Sequence, residues 1–265
     1  MLTGEKSPVD SLIPYNTLAQ DIPRVLRGFQ CQHHSQPWIV ALFHGLHFRC
    51  TGTLIGKQWV VTAASCNTGY PLHVRLGEQN LFHIDWSEQL RISSRVIQHP
   101  EYNSKTNRNN IMLVKLLLPA TINKYVQLLQ LPSNPPAANL TCVLPGWGTN
   151  AFHNVPRTPG RSKPLCKHAP LHSDVLFCGN ITTLADDQCR NTNPEHITKN
   201  MLCAGVIHGG TDFCQGDPGS PLICQEVLQG IASWGFEGCS LAEWTGVFVK
   251  VYNYVSWLEK TMKSG

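Results

Sequence analysis

The chain has 265 residues, of which 42% are hydrophobic and 14% charged, so it is too apolar and too weakly charged to be disordered. Its net charge of +4 is too small to indicate nucleic-acid binding, which requires a clustered basic surface. The longest apolar run, IMLVKLLL, is interrupted by Lys115 and is shorter than the roughly 18 residues that cross a bilayer. These properties predict neither a membrane span nor a nucleic-acid partner.

Residues 1–24 are polar and show no hydrophobic periodicity, which predicts an N-terminal tail or pro-segment and places the main domain at 25–265. The start of the chain, MLTGEKSPVDSLIPYNTLAQ, contains no apolar segment of about 7–15 residues, so no signal peptide is recognisable in it.

From Val25 onward, short apolar segments rich in Val, Ile, Leu and Trp alternate with turn residues. The predicted strands are WIVALF, WVVTAA, LHVRLG, IMLVKL, TCVLPG, PLICQ, LQGIASWG and TGVFVKVY. Many short strands separated by turns indicate an all-β sandwich or barrel. A proline-rich basic segment at about 153–173 predicts an exposed loop, and YNYVSWLEKTMKSG predicts a short C-terminal helix with Val255, Leu258 and Met262 on one face.

The 11 cysteines are scattered singly, which favours disulfides over a zinc site and indicates an oxidising compartment. Two N-x-[ST] sequons, at Asn139 and Asn180, fit a glycosylated, secreted protein. The N-terminal residues, which contain no recognisable signal peptide, argue against secretion, but the cysteine pattern is the stronger indication. The expected location is extracellular.

Several motifs occur in a family-specific order: SQPWIVALF, WVVTAASC, NNIMLVKL, GWGT, NMLCAG, FCQGDPGSPL, GIASWG and GVFVKVYNYVSWL. From about Arg24 to Met262 the chain resembles the trypsin-like serine proteases, and most of all their tissue-kallikrein-related branch. The resemblance implies two six-stranded antiparallel β-barrels with a cleft between them. It also implies cleavage after Arg24, which would free the Val25 amine to pair with Asp217, although Pro218 is expected to hinder this by restricting the Asp217 backbone.

All three catalytic positions implied by the resemblance carry other residues. Ser65 stands at the histidine position, Asn110 at the aspartate position and Pro218 at the nucleophile position. Serine is no base near neutral pH, asparagine carries no charge, and proline has neither a hydroxyl nor a backbone N–H. Because the implied oxyanion hole uses the N–H groups of residues 218 and Gly216, it is damaged too. These residues predict a catalytically inactive homologue.

The resemblance also implies a substrate pocket, formed by Asp212, Phe213, Ser233, Trp234, Gly235 and Gly246. Asp212 stands where a carboxylate would pair with an Arg or Lys side chain. Phe213 replaces a small residue and would fill part of the pocket. Two interpretations therefore remain: a pocket that still accepts a basic side chain, or a pocket that Phe213 partly fills.

By the same resemblance, five disulfides are expected: Cys31–Cys178, Cys50–Cys66, Cys142–Cys224, Cys189–Cys203 and Cys214–Cys239. Cys166 is left over, either free or paired between molecules, and ordinary loop composition explains it better than a metal site with nearby histidines. A loop with Glu78, Asn80, Asp85 and Glu88 resembles the calcium loop of some trypsin-like proteins, and its oxygen ligands suit a hard cation. Acidic surface loops are common without a metal, so no cofactor is expected, and calcium at this loop is the alternative.

Three functions compete. The favoured one is an inactive secreted monomer that binds a protease substrate, an inhibitor or a receptor. The alternative is a trypsin-like endopeptidase that cleaves after Arg or Lys. The third is a decaying gene product with no selected function.

Overall fold

The computed structural model describes residues 29–148, 172–205, 217–234 and 245–265. Within these ranges the chain forms thirteen β-strands and two α-helices. The strands are β1 (Phe29–Gln30), β2 (Ile39–His44), β3 (His47–Gly56), β4 (Trp59–Thr62), β5 (His73–Leu76), β6 (Gln89–Gln98), β7 (Met112–Leu116), β8 (Thr141–Gly148), β9 (His172–Thr183), β10 (Met201–Gly205), β11 (Pro221–Cys224), β12 (Val227–Trp234) and β13 (Thr245–Lys250). The helices are α1 (Asp186–Thr192) and α2 (Val255–Ser264).

The first barrel closes in the order β2-β3-β4-β7-β6-β5. Strand β2 shows why WIVALF is a continuous apolar run. Val40 and Leu42 belong to the core of this barrel, whereas Ile39, Ala41 and Phe43 pack in a separate cluster that includes residues of the second barrel. Both faces of β2 are therefore buried, and the alternation typical of a half-exposed strand is absent.

The second barrel closes in the order β9-β10-β13-β12-β11-β8, because β8 also pairs with β9, and β1 is added at the side of β9. Leu144, Ile181, Leu202, Leu222 and Phe248 fill its core. Neighbouring strands are antiparallel in both barrels. The predicted all-β fold of two six-stranded antiparallel barrels is confirmed.

The predicted C-terminal helix is confirmed as α2, which follows a 3₁₀ turn at Val251–Tyr254. Leu258 is fully buried in the cluster that forms the first-barrel core, and Met262 packs against the same cluster. The helix thus attaches the end of the second barrel to the first. No helix in the described ranges is long and apolar enough to cross a membrane.

Some elements escaped the sequence patterns: β1, β3, β6, β9, β10 and α1. Strand β6, QLRISSRVIQ, has mostly half-exposed or exposed side chains, so charged and polar residues interrupt its apolar pattern. Helix α1 buries only Cys189 and has no amphipathic face. The loop expected at 153–173 needs a correction at its end, because His172 and Ser173 already belong to β9 and His172 pairs with Gly148.

Four of the five expected disulfides are present: Cys31–Cys178, Cys50–Cys66, Cys142–Cys224 and Cys189–Cys203. The fifth, Cys214–Cys239, and the extra Cys166 lie outside the described residues. Cys142–Cys224 joins β8 to β11, and Cys31–Cys178 joins the residue after β1 to β9. Cys50–Cys66 ties β3 to the 3₁₀ turn Ala64–Cys66.

Candidate functional site

Ser65 and Asn110, which the sequence resemblance assigns to two of the three catalytic positions, meet at one end of the first barrel. Ser65 lies in the 3₁₀ turn that directly follows β4, and Asn110 lies just before β7. Because β4 and β7 pair antiparallel with Thr62 opposite Met112, the end of β4 and the start of β7 are neighbours. Ser65 is exposed, whereas Asn110 is completely buried.

Three hydrogen bonds hold the Asn110 side chain. Its Oδ1 accepts from the backbone N–H of Ser65 at 2.8 Å, which directs the amide nitrogen toward the cleft. That nitrogen donates to Ser233 Oγ at 2.9 Å and to Ser65 Oγ at 3.3 Å. Since Ser233 lies at the end of β12, Asn110 joins the two barrels.

The amide at residue 110 determines what this group can do chemically. Asn110 Nδ2 can only donate, so both serine hydroxyls act as acceptors toward it, whereas a carboxylate would accept from them. In the part of the chain that the structure describes, no imidazole or carboxylate belongs to this hydrogen-bonded group. The group therefore contains no base that can take a proton near neutral pH.

The third position, Pro218, lies on the second-barrel side of the cleft, in the turn before β11. Its carbonyl accepts a hydrogen bond from Thr51 N at 3.1 Å, which holds the turn against the first barrel. The next residue, Gly219, has φ +87°, and a Cβ there would lie 2.1 Å from Thr51 O and 2.2 Å from Thr62 Oγ1. Only glycine fits at 219, and Pro218 offers no N–H to a negative oxygen.

Asp217 is buried under the same turn. Its Oδ2 accepts hydrogen bonds from Trp147 N at 2.6 Å and from Thr51 Oγ1 at 3.0 Å. Burial raises the pKa of Asp217 to about 7, although the hydrogen bonds from Trp147, Thr51 and Gly148 lower it. The carboxyl is thus held inside the molecule, while Arg24 and Val25, the residues expected to act on it, lie outside the described ranges.

Ser220, in the same turn, is also buried. Its Oγ has no hydrogen-bond partner among the described residues. It lies against Gly146, since a Cβ on that glycine would be 3.0 Å from both Ser220 Oγ and Asp217 Oδ2. A buried hydroxyl without a partner destabilises the folded state.

The expected substrate pocket is described only in part. Ser233 and Trp234 end β12, and Gly246 pairs with Ala204 across β13 and β10. Ser233 has a contact that the motif did not reveal, because its hydroxyl accepts from Asn110. Asp212, Phe213, Gly216 and Gly235 lie outside the described residues.

The loop expected to bind calcium contains two buried carboxylate oxygens, Glu78 Oε1 and Glu88 Oε2, with no hydrogen-bond partner in the described ranges. Burial raises the pKa of Glu78 to about 7, although Arg75 at 3.4 Å lowers it, and the charge of Glu88 adds to the rise. The other two expected ligands are occupied. Asn80 Oδ1 accepts from backbone N–H groups of its own turn, and Asp85 faces Ser87 and two histidines.

Both predicted glycosylation sites are accessible. Asn139 is exposed in the turn before β8, and Asn180 is exposed on β9.

Comparison with known proteins places this site in a family. The family model Trypsin matches residues 25–258. The chain belongs to the trypsin family. Kallikrein-15 of Homo sapiens is 42% identical over 253 residues, which cover 96% of each chain. Trypsin I-P1 of Gallus gallus is 42% identical over 245 residues and 92% of each chain.

A solved structure agrees with this family. The structure of neuropsin, a serine protease expressed in the limbic system of mouse brain, is similar with a TM-score of 0.76 and 36% identity, over 90% of this chain and 100% of neuropsin. The family predicted from the motifs is confirmed. Residues 65, 110 and 218 all lie inside the matched range of this trypsin-family chain.

Sequence reasoning missed two contacts at the site. It did not connect Ser233 with Asn110, or Thr51 with Asp217, because these pairs are separated by 123 and 166 residues. No local signal marks either pair, since Ser233 belongs to a motif with another expected role and Thr51 sits inside a strand.

Proposed function

We propose that this trypsin-family chain is a catalytically inactive, secreted binding module, which engages a protease substrate, an inhibitor or a receptor as a monomer without cleaving it. The observation that carries the proposal is the Asn110 amide, which donates to Ser65 and Ser233. Among the described residues, the group hydrogen-bonded to Ser65 contains no base, and Pro218 offers no hydroxyl and no N–H across the cleft.

An active-site-directed fluorophosphonate probe tests the loss of catalysis. We expect no labelling of the wild-type chain under conditions that label an active trypsin, because covalent capture requires an activated serine. The matched control is heat-denatured protein, which measures nonspecific labelling. Labelling of a serine in the folded chain, together with hydrolysis of Arg or Lys amides, would support the alternative endopeptidase instead.

The binding role needs a separate measurement. We expect saturable binding of a protein inhibitor of trypsin-like enzymes on a biosensor, with competition by an Arg-containing peptide but not by the same peptide with Leu. Asp212→Asn should remove that competition, since the carboxylate is the expected partner of the guanidinium. Absence of saturable binding would contradict the binding role even if the chain proved inactive.

We also propose that residues 1–24 are a pro-segment removed after Arg24. The family match beginning at residue 25 supports this boundary. Because Asp217 already accepts hydrogen bonds from Thr51 and Trp147, we expect cleavage to change the melting temperature little. A large rise after trypsin treatment would show that the new Val25 amine does reach Asp217.

We also propose that the loop with Glu78 and Glu88 binds a calcium ion. Each has a buried carboxylate oxygen with no hydrogen-bond partner among the described residues, and such oxygens are hard donors of the kind that Ca²⁺ prefers. We expect Ca²⁺ to raise the melting temperature of the chain, and Glu78→Gln or Glu88→Gln to abolish that rise. An unchanged melting temperature in excess Ca²⁺ would exclude the site.

A further inference from the structure

A cavity of about 410 Å³ opens on the surface of the first barrel. Phe43 and Val74, which line it, are buried, whereas its leucines are between 58% and 88% exposed. These leucines are Leu46, Leu90, Leu117 and Leu118. Single exposed leucines are common, but four around one cavity form an apolar patch of the kind that marks a binding site.

Strand pairing explains how residues far apart in the chain line one cavity. Across β2, β5 and β6, Phe43 lies opposite His73, and His73 lies opposite Ile92. Two positions along β5, Arg75 lies opposite Leu90 on the same face, because side chains two residues apart in a strand point to the same side. The cavity thus combines apolar and basic side chains from one face of the sheet.

The charged residues that line the cavity are basic. They are Arg75 and Arg91, with His73 beside them, and no aspartate or glutamate of the described ranges lines it. The guanidinium carbon of Arg75 lies 4.2 Å from the centroid of the Phe43 ring, and its Nη1 donates to Leu81 O at 3.0 Å. Its Nε and Nη2 make no hydrogen bond to the described residues. These N–H groups remain available to an anion.

Both guanidinium groups are held in place by the protein. Arg91 donates from Nε to Pro119 O at 3.1 Å and from Nη2 to Gln89 Oε1 at 3.0 Å. Glu78 approaches Arg75 only at Nη1, at 3.4 Å, and burial raises the pKa of this carboxyl to about 7, so it is only partly ionised near neutral pH. The cavity therefore carries positive charge on side chains that lose little freedom when a ligand binds.

The strands that line the cavity have no free edge. Strands β2, β5 and β6 belong to a closed barrel, in which each strand pairs with two neighbours. A peptide could not add to them through backbone hydrogen bonds, and its own N–H and C=O groups would lack partners among the leucines. An alkyl chain has no polar groups to satisfy, so it suits this cavity better.

We propose that this cavity binds an amphiphilic anion of the fatty-acid class, with its alkyl chain among Leu46, Leu90 and Leu118 and its carboxylate at Arg75. Small organic ligands ordinarily occupy cavities of about 300–1,000 Å³, a range that includes this one. The residues at the three catalytic positions do not line it, so the site is separate from the cleft. It is also independent of the proposed binding of a protein there.

Calorimetric titration of the full chain with octanoate, decanoate and dodecanoate, below their micelle-forming concentrations, tests the site. We expect one bound molecule per chain and an affinity that rises by up to about fourfold for each added CH₂ group. Dodecyltrimethylammonium, which has the same alkyl chain and a positive head, should bind at least ~10-fold more weakly, because it cannot accept a hydrogen bond from a charged group.

Substitutions locate the two ends of the ligand. Leu90→Asp and Leu118→Asp should each weaken dodecanoate binding at least ~10-fold, because they place a carboxylate in the apolar part of the cavity. Both leucines are exposed, so the fold should be retained. Leu128→Asp is the matched control, since Leu128 is an exposed leucine that does not line the cavity. Arg75→Gln should remove the preference for the anion over the cation, whereas Arg75→Lys should keep it.

Absence of saturable dodecanoate binding, an affinity independent of chain length, or unchanged affinity in Leu90→Asp and Leu118→Asp would overturn the proposal. An equal loss in Leu128→Asp would do the same. Tighter binding of an acidic, leucine-containing peptide than of dodecanoate would also overturn it, and would assign the cavity to a protein partner.

Discussion

The two sides of the cleft differ in how their polar groups are accommodated. On the first-barrel side, both polar atoms of the buried Asn110 amide have hydrogen-bond partners. On the second-barrel side, Ser220 has a buried hydroxyl without a described partner, and Asp217 has a pKa raised by burial to about 7. Asn110 therefore belongs to a hydrogen-bonded network, whereas the turn at 217–220 accommodates its polar groups at a cost in stability.

The largest effect should come from restoring the catalytic residues. Pro218→Ser alone should give no measurable hydrolysis of Arg or Lys amides, because Ser65 and Asn110 cannot activate the new hydroxyl. The triple variant Ser65→His, Asn110→Asp, Pro218→Ser should give slow turnover, ~10⁴-fold or more above any single variant, since triad residues act as a unit.

Adding Phe213→Ser and Ser220→Gly to the triple variant should raise the rate further, by opening the pocket and relaxing the turn. Strong activity from Pro218→Ser alone would show that an unrecognised base is present in the cleft.

Gly219→Ala should destabilise the turn by more than ~3 kcal/mol, because the added Cβ meets Thr51 O at 2.1 Å while φ is +87°. Gly45→Ala is the matched control, since φ is +61° there and nothing lies within 4 Å of its Cβ. It should cost only about 1–2 kcal/mol. Urea denaturation of both variants measures the difference, and equal losses would mean that the turn at 218–219 is not packed against the first barrel.

Ser220→Ala should stabilise the chain by about 1 kcal/mol, because it removes a buried hydroxyl that has no partner among the described residues. Ser233→Ala on the other side of the Asn110 network should have the opposite sign, since it removes the acceptor of a 2.9 Å hydrogen bond. Chemical denaturation of the two variants therefore tests the comparison directly. Destabilisation by both would show that Ser220 has a partner after all.

A different kind of expected effect is a pH dependence of stability that comes from Asp217. Burial raises its pKa from 3.8 to about 7, so the folded state holds this proton more tightly than the unfolded state does. Its contribution to stability is therefore complete below pH 3.8 and is lost as the pH rises through about 7. Asp217→Asn should reduce the pH dependence of the denaturation midpoint over this range. The same substitution at the exposed Asp174 should leave that dependence unchanged. A flat wild-type curve would show that a cation compensates the Asp217 carboxylate.

Much of the architecture could be predicted because it rests on local patterns. The continuous apolar run WIVALF and the periodic apolar face of the helix that carries Leu258 are both buried by the fold. Strand β6 and helix α1 escaped prediction because tertiary pairing, rather than an apolar face of their own, holds them in place.

The sequence by itself determined the family, the disulfide pairs that the structure describes, and the identity of the residues at positions 65, 110 and 218. The family, the disulfide pairs and these three residues can be read from motifs, because a motif is defined by the types of its side chains and their order in the chain. Only the tertiary structure decided that the Asn110 amide reaches Ser233, that Thr51 holds Asp217, and that Leu46, Leu90 and Leu118 line one cavity. The physical reason is that a hydrogen bond or a binding cavity depends on the direction and distance of atoms far apart in the chain, which no periodicity of neighbouring residues encodes.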